Sequence, residues 1–156
     1  MIQVQISEMP LSLTSLSLTE PSLESDSGDG ALVIFEGRVR SENGRVVALE
    51  IEHYPAMTER SIEAIAEQAT RRWPVTDIQV FHRVGWVGVG ELIVRVAVTA
   101  EHRRVAFDAC AFVMDYLKTQ APFWKKEINA AGEGVWVEMK QTDRDAAARW
   151  SQSREQ

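Results

Sequence analysis

A long apolar stripe in residues 102–119, HRRVAFDACAFVMDYLKT, constrains the fold of this chain more than any other feature of its sequence. Its apolar side chains recur at offsets of three and four residues, the spacing that puts them on one face of an α-helix. The stripe consists of Ala106, Ala109, Cys110, Val113, Met114 and Leu117. A second helix is predicted in residues 57–73, where the apolar residues have the same spacing and Pro74 ends the segment.

Segments of alternating or β-branched residues surround the two predicted helices and are typical of β-strands. They are IQVQI (2–6), ALVIFEGRVR (31–40), VVALEIEHY (46–54), DIQVFHRVGW (77–86), ELIVRVAVTA (91–100) and GVWVEMK (134–140). The polar turn SENGR predicts a hairpin between the second and third segments, and the glycines of GWVGVGE predict a hairpin turn between the fourth and fifth.

The remaining segments complete a mixed α/β pattern without repeats. SLTEPSLES (17–25) predicts a short helix, and DAAARW (145–150) predicts a brief helical turn. A chain of 156 residues with 45% hydrophobic residues can close one core, since domains of about 100–150 residues are the commonest size. We expect one α+β domain in residues 1–150, followed by a polar tail in residues 151–156.

Composition excludes several classes of function. The formal net charge of −6, from 17 basic and 23 acidic residues, argues against nucleic-acid or membrane-surface binding through overall charge. Cys110 is the single cysteine, so neither a disulfide framework nor a cysteine-based zinc site can form within the chain. His53 and His82 predict no metal site, because carboxylates at ligand spacing do not accompany them, and His82 fits a satisfied sheet histidine. A cytoplasmic location is the simplest expectation, because the sequence has neither a long apolar run nor a basic leader.

Two segments break local rules, and such breaks are expected at functional sites. The first is AEHRR (100–104), where His102 and Arg103 occupy the positive end of the second helix. Arginines combined with free backbone N–H groups form an anion site, although arginines that point into solvent are the simpler interpretation of this motif alone.

The second break is Lys118, which continues the row of Cys110 and Met114 on the buried side of the helix. A helix-terminal lysine with its ammonium group in water is the simpler interpretation of this position. Lys125 and Lys126 follow after a Pro-Phe-Trp segment that we expect to turn the chain back on itself. Two lysines held close in this way would lower each other's pKa and suit an anionic ligand or a carbonyl that needs polarisation.

Six segments occur in the order seen in one known family: GALVIFEGRVR, LEIEHYPAMTE, RWP, HRVG, AEHRRVAFDACAFVMDYLKTQAPFWKKE and WVE. In these segments the chain resembles the large, catalytic subunits of molybdopterin synthase, the MoaE family. The resemblance covers roughly Gly30 to Trp150, and its EHYP and LKT-x-x-P-x-WK-[KR]-E motifs are specific.

The resemblance implies a sulfurtransferase of molybdenum cofactor biosynthesis. Such subunits convert cyclic pyranopterin monophosphate into molybdopterin by installing two sulfurs as a dithiolene. A small ubiquitin-like partner brings the sulfur as a thiocarboxylate on its carboxyl-terminal Gly-Gly. The resemblance also implies a homodimer within a heterotetramer, and an α/β hammerhead fold with an additional antiparallel β subdomain. It implies neither a cofactor nor a metal.

The resemblance also assigns roles to residues at matching positions. It implies that Lys118 is the principal catalytic residue, supported by Lys125, and that Phe35 and Met114 line the channel for the partner's tail. His102 and Arg103 are expected to come from either the same or the opposite protomer. At Lys140 this chain keeps a charge without the bidentate fork of arginine. The substrate-binding residues implied are Arg38, Arg40, His102, Arg103, Lys118, Lys125 and Lys126.

Two other classes of function stay open at this point. In one, the basic pocket is a non-catalytic module that docks a ubiquitin-like tail or stores a phosphorylated ligand. In the other, it is an anion-binding regulatory domain that has no small-subunit partner. The presence of both Lys118 and Lys125 favours the enzyme, and turnover with a thiocarboxylated partner distinguishes it from both alternatives.

Overall fold

The structure is a computed structural model and describes residues 1–13 and 28–152. In chain order its strands are β1 (Ile2–Ser7), β2 (Ala31–Arg38), β3 (Ala48–His53), β4 (Val75–Arg83), β5 (Gly85–Gly88), β6 (Leu92–Ala100), β7 (Phe123–Ile128) and β8 (Gly134–Trp136). Its helices are α1 (Met57–Arg72), α2 (Arg103–Gln120) and α3 (Gln141–Gln152). The two amphipathic helices predicted from the sequence are confirmed as α1 and α2.

The first sheet is mixed and has the strand order β1-β4-β6-β2. Strand β1 runs parallel to β4, whereas β6 is antiparallel to both of its neighbours. Helices α1 and α2 pack on one face of this sheet and enclose the main core, because their apolar stripes meet the inward residues of the strands. The largest fully buried side chains there include Ile62, Ile65, Ile78, Phe112 and Val113.

The second sheet is antiparallel and has the strand order β5-β3-β7-β8. A small core of Val39, Val46, Ile51, Val84 and Val87 lies against it. Helices together with a mixed sheet and a separate antiparallel sheet confirm the predicted α+β class.

The predicted hairpin between the second and third strand segments is wrong. Strand β2 pairs with β6 in the first sheet, while β3 pairs with β5 and β7 in the second. Val39 and Val46 flank the SENGR turn and are both buried in the small core. Because both side chains are buried there, the chain passes from the first sheet to the second at this turn. The turn therefore connects two layers.

The glycine-rich segment is also more than the predicted hairpin turn. Gly85–Gly88 forms strand β5, and only residues 89–91 turn the chain back toward β6. Gly90 has φ +85°, a left-handed conformation that glycine adopts without steric cost. The carboxylate of Glu91 accepts the backbone N–H of Gly88 and closes this turn.

Helix α3 extends well beyond the brief helical turn predicted for DAAARW. It is held on α2 by Asp115, whose carboxylate accepts Trp150 Nε1–H at 2.7 Å and the Arg149 guanidinium at 3.1 Å. The domain boundary at residue 150 stays a prediction. Residues 153–156 of the predicted tail lie outside the described residues, and so does SLTEPSLES, for which a short helix was predicted. In the described part of the chain, none of the helices has both the length and the apolar character that a membrane crossing requires.

Candidate active site

A pocket of about 430 Å³ lies where elements of the two sheets meet the end of α2. We call it the lysine pocket, because Lys118 and Lys125 both line it. Strand β2, helix α2, strand β7 and the segment 137–143 all contribute to its wall. The structure brings seven of the residues singled out by the resemblance to this one cavity: Phe35, Arg38, Arg40, Met114, Lys118, Lys125 and Lys140.

The two lysines reach the pocket from different elements. Lys118 lies in the last turn of α2, one turn after Met114 on the same row, so both side chains face the cavity. Lys125 belongs to β7, which pairs with β3 so that Lys125 lies opposite Ile51 of the small core. The chain does reverse between the two lysines as expected, but Phe123 and Trp124 already belong to the returning strand.

A buried threonine fixes the connection between α2 and β7. The Thr58 hydroxyl donates to the carbonyl oxygen of Pro122 at 3.1 Å and accepts the backbone N–H of Tyr54 at 2.9 Å. Because Thr58 is fully buried, these hydrogen bonds are protected from water. The EHYP motif and the start of α1 therefore hold the turn that separates the two lysines.

Lys125 has a perturbed acid–base equilibrium. Burial is the largest cause that lowers its pKa from 10.5 to about 8, and the positive charge of Lys118 lowers it further. Lys140 acts in the same direction, whereas the carboxylate of Asp143 raises the pKa. The prediction that neighbouring lysines depress the pKa is confirmed for Lys125, although burial contributes more than Lys118 does.

Arg38 and Arg40 line the pocket from the end of β2 and the residues after it, and both side chains are exposed. Arg38 donates to the carbonyl oxygen of Gly90 at 3.1 Å and to Glu36 at 3.3 Å. Arg40 forms an ion pair with Glu42 at 2.9 Å. Exposed ion pairs of this kind are weak, so either guanidinium can exchange its partner for an anionic ligand at little cost.

Lys126 does not reach the lysine pocket. Successive side chains of a strand point to opposite faces, and Lys126 lies on the face of β7 away from Lys125. Its Nζ is 4.5 Å from the ring centroid of Trp136, its cross-strand neighbour on β8. This arrangement is a cation–π contact on the outer surface of the second sheet.

His102 and Arg103 also lie outside the lysine pocket of their own chain. Both are exposed at the amino-terminal end of α2, where His102 Nε2 is 3.2 Å from Glu101. Lys118 lies in the last turn of the same helix. At 1.5 Å per residue, about 24 Å of helix separates His102 from Lys118. His102 and Lys118 of the same chain therefore cannot both contact one small substrate.

Several residues of the pocket wall were not predicted as site residues, among them His82, Thr142 and Asp143. Thr142 and Asp143 come from the start of α3, and His82 comes from the end of β4. The alternation of His82 with Val80 and Val84 placed it correctly in a sheet. Since Val80 belongs to the main core and Val84 to the small core, that alternation also marks the junction of the two cores.

Cys110 is buried in the main core, as the sequence predicted. Burial raises the pKa of its thiol to about 11, although a backbone hydrogen bond from Phe35 acts in the opposite direction. Within residues 1–13 and 28–152, no three His, Cys, Asp or Glu side chains are grouped closely enough to hold a metal ion.

Comparison of the amino-acid sequence with those of known proteins identifies relatives of this chain. The molybdopterin synthase catalytic subunit of Cereibacter sphaeroides is 53% identical over 124 residues, covering 80% of this chain and 84% of the relative. The protein of the same name from Escherichia coli is 48% identical over 132 residues, covering 83% of this chain and 87% of the relative.

Solved structures show the same relationship. The molybdopterin biosynthesis MoaE protein of Burkholderia ambifaria superposes with a TM-score of 0.79 at 44% identity, covering 97% of this chain and 99% of the other. The molybdopterin synthase structure of Staphylococcus aureus gives a TM-score of 0.73 at 28% identity, covering 85% and 95% of the two chains. The family model described as MoaE protein matches residues 6–120. The chain therefore belongs to the MoaE family.

Proposed function

We propose that this protein is the catalytic subunit of a molybdopterin synthase and that Lys118 and Lys125 are its catalytic pair. In this reaction sulfur passes from the thiocarboxylated carboxyl terminus of a small ubiquitin-like subunit to cyclic pyranopterin monophosphate. Two such transfers form the dithiolene of molybdopterin. The observation that carries the assignment of the pair is the convergence of two lysines from different elements on one pocket, with the pKa of Lys125 lowered to about 8.

The state of Cys110 supports an external source of sulfur. Thiolates are the reactive form of cysteine, and a thiol whose pKa is raised to about 11 is almost fully protonated at neutral pH. Its side chain also packs in the main core, away from solvent. A persulfide on this residue would have to form and react inside the core, so delivery by a partner's thiocarboxylate is the simpler route.

Lys118 and Lys125 provide the electrostatic part of the chemistry. The thiocarboxylate sulfur bonds to a carbon of the precursor as a carbon–oxygen bond there breaks, which leaves a thioester between the partner and the pterin. Water then attacks the acyl carbon, negative charge develops on the carbonyl oxygen, and the acyl carbon–sulfur bond breaks to leave the sulfur on the pterin and a carboxylate on the partner. An ammonium group at Lys118 stabilises that charge, and Lys125 adds a second cation from across the pocket. Because the pKa of Lys125 is near neutrality, its ammonium also gives up a proton more readily than an ordinary lysine does.

The anionic groups of the substrate need further cations. Arg38 and Arg40 supply them from the wall of the lysine pocket. We assign His102 and Arg103 to the pocket of the opposite protomer, because the length of α2 keeps them from the pocket of their own chain. Lys126 is left out of this set, since its ammonium group lies over Trp136 on the other face of β7.

The partner's tail is proposed to pass between Phe35 and Met114, which line the pocket beside Lys118. The assembly would then be a heterotetramer, with a central homodimer of this chain and two small subunits. We place the reaction in the cytoplasm, because the bacterial relatives are synthase subunits and the free Cys110 needs no oxidising compartment. Cell fractionation with an antibody against this chain tests that location.

Reconstitution tests the proposed function. The purified chain is mixed with a thiocarboxylated small subunit and cyclic pyranopterin monophosphate, and the dithiolene product is quantified. We expect turnover from the unmodified chain and from Lys126→Ala, and none from Lys118→Ala. Binding of both the small subunit and the precursor without any product would instead identify a non-catalytic binding module.

A further inference from the structure

His82 is a buried histidine of the lysine pocket that has no part in the chemistry proposed above. It lies near the end of β4, is 5% exposed, and contributes to the same wall as Lys118 and Lys125. A polar side chain in such a place needs hydrogen-bond partners for the ring atoms that are buried, and its Nε2 is not among the fully buried side-chain atoms of the described residues that lack a partner.

The first ring nitrogen is explained by the backbone. His82 Nδ1 lies 2.7 Å from the carbonyl oxygen of Arg83. A carbonyl oxygen can only accept a hydrogen bond, so the hydrogen-bond geometry assigns the proton to Nδ1. In a neutral imidazole the other nitrogen, Nε2, then carries a lone pair and acts as an acceptor.

The surroundings of His82 keep the ring neutral. Burial is the largest cause that lowers its pKa to about 3, and the positive charges of Lys125, Lys118 and His53 act in the same direction. Only the hydrogen bond to the Arg83 backbone opposes them. At neutral pH, Nε2 is therefore an acceptor rather than a donor.

The plane of the ring is also fixed. The imidazole stacks on Phe123, with 3.8 Å between the ring centroids and 16° between the ring planes. A lone pair on Nε2 lies in the plane of the ring, so the stacking and the Arg83 hydrogen bond together set its direction. Across residues 1–13 and 28–152, Nε2 of His82 makes no hydrogen bond.

We propose that His82 is a substrate-positioning residue, whose Nε2 accepts a hydrogen bond from an N–H group of the pterin ring. This inference rests on the proposed function for the identity of the ligand as a pterin. The two lysines can only donate while they are charged, whereas a pterin offers N–H donors on its ring and on its exocyclic amine. A simple anion has no N–H group to donate to Nε2, so a neutral, oriented acceptor beside two cations favours the pterin ring over a simple anion.

Two matched substitutions separate positioning from structural support. His82→Asn keeps a side-chain N–H near the position of Nδ1 but removes the acceptor at Nε2. His82→Gln places an amide oxygen near the position of Nε2 and gives up the bond to the Arg83 carbonyl. We expect the asparagine variant to raise KM for the precursor about tenfold with little change in kcat, and the glutamine variant to stay within about threefold of wild type.

Precursor binding is measured in parallel by isothermal titration, and folding by thermal denaturation. Wild-type KM and affinity in a folded asparagine variant would overturn the proposal. So would equal losses in both variants, because equal losses indicate a structural role. Absence of turnover in the wild-type chain would count against the proposed function alone, since the titration still reports whether His82 positions the precursor.

A measurement on the wild-type protein covers the case in which neither variant folds. In ¹⁵N NMR spectra of the free chain, Nε2 of His82 should resonate as an unprotonated nitrogen. Addition of the precursor should shift this resonance in the direction of a hydrogen-bonded acceptor. A protonated Nε2, or a resonance that does not move at saturating precursor, would overturn the proposal.

Discussion

Lys125 and Lys126 are consecutive in the chain, yet their ammonium groups lie on opposite faces of β7. Lys125 lines the lysine pocket with Lys118, whereas Lys126 lies over the ring of Trp136 on the outer face of the second sheet. Strand geometry alone produces this separation, because successive side chains alternate between the two faces. The two lysines therefore have different surroundings despite being neighbours in the sequence.

This difference predicts unequal effects of two matched substitutions. Lys125→Ala should lower the rate of sulfur transfer by about 100-fold or more, because it removes a cation from the site of charge development. Lys126→Ala should stay within about threefold of wild type and lose only a surface cation–π contact. Product formation at saturating precursor measures both rates, and a larger loss in Lys126→Ala would contradict the assignment of Lys125 to the site.

Lys118 gives the sharpest test of catalysis. Lys118→Ala should abolish sulfur transfer while leaving the fold and the assembly intact, since an ammonium group at the edge of a pocket contributes little to packing. Circular dichroism and light scattering check the fold and the assembly, and product formation checks the chemistry. Near-normal turnover by a well-folded variant would remove Lys118 from the catalytic pair.

The helices were predictable because their signal is local. The spacing of Ala106, Cys110 and Val113 depends only on the helical repeat, and α2 buries that row as expected. The position of Lys118 beside Met114 follows from the same spacing. The position of Lys118 in the pocket wall was therefore accessible from the sequence pattern, whereas its proposed catalytic role came from the family resemblance.

The pairing of strands was not predictable in the same way. A period of two tells which residues of β2 share a face, but it does not tell which strand lies beside β2. Val39 and Val46 are buried in the small core, and their burial separates β2 from β3. This packing forms only in the folded chain, so the sequence pattern does not reveal it. The same alternation assigned His82 to a sheet, but it could not show that His82 lines the wall of the lysine pocket.

The lowered pKa of Lys125 predicts how activity depends on pH. If the ammonium form of Lys125 supports catalysis, kcat/KM should fall as pH rises through about 8, where this lysine loses its proton. Lys125→Arg should lack the fall near pH 8, because arginine stays charged throughout this range. An identical fall in the wild type and the arginine variant would assign the titration to another group.

The same pKa predicts a gain in stability when Lys125 is replaced. The pKa of Lys125 is lower in the folded state than in the unfolded state, so the folded state binds the proton of this lysine less tightly. The resulting cost to the free energy of folding is complete below about pH 8 and disappears as the pH rises to 10.5. Lys125→Met should therefore raise the free energy of unfolding by about 1–2 kcal/mol at pH 7. Urea unfolding at pH 7 and pH 10 measures the difference, which should shrink at the higher pH.

The length of α2 predicts that each active site is shared between two protomers. Arg103→Ala should weaken precursor binding by about 1.5–3 kcal/mol, measured by isothermal titration, because it removes a charge-assisted contact to phosphate. Subunits carrying Arg103→Ala and subunits carrying Lys118→Ala should complement each other when they are mixed. At a precursor concentration that leaves Arg103→Ala sites largely empty, random pairing of equal amounts makes about half of the dimers mixed. Each mixed dimer has one intact site of two, so turnover is about one quarter of the wild-type value. Turnover that stays at the level of the single variants after subunit exchange would place both residues in one protomer's site.

The partner's tail should matter more for chemistry than for docking. Phe35 and Trp124 are large apolar side chains near the pocket that are 43% and 48% exposed, so the small subunit has apolar surface to cover beyond its last residues. Two extended residues span about 7 Å, and without them the tail ends short of Lys118. Removal of the terminal Gly-Gly should therefore abolish product formation while light scattering still detects a heterotetramer. A chain that stays monomeric and binds no ubiquitin-like partner, with both proteins folded, would leave the synthase without its sulfur source.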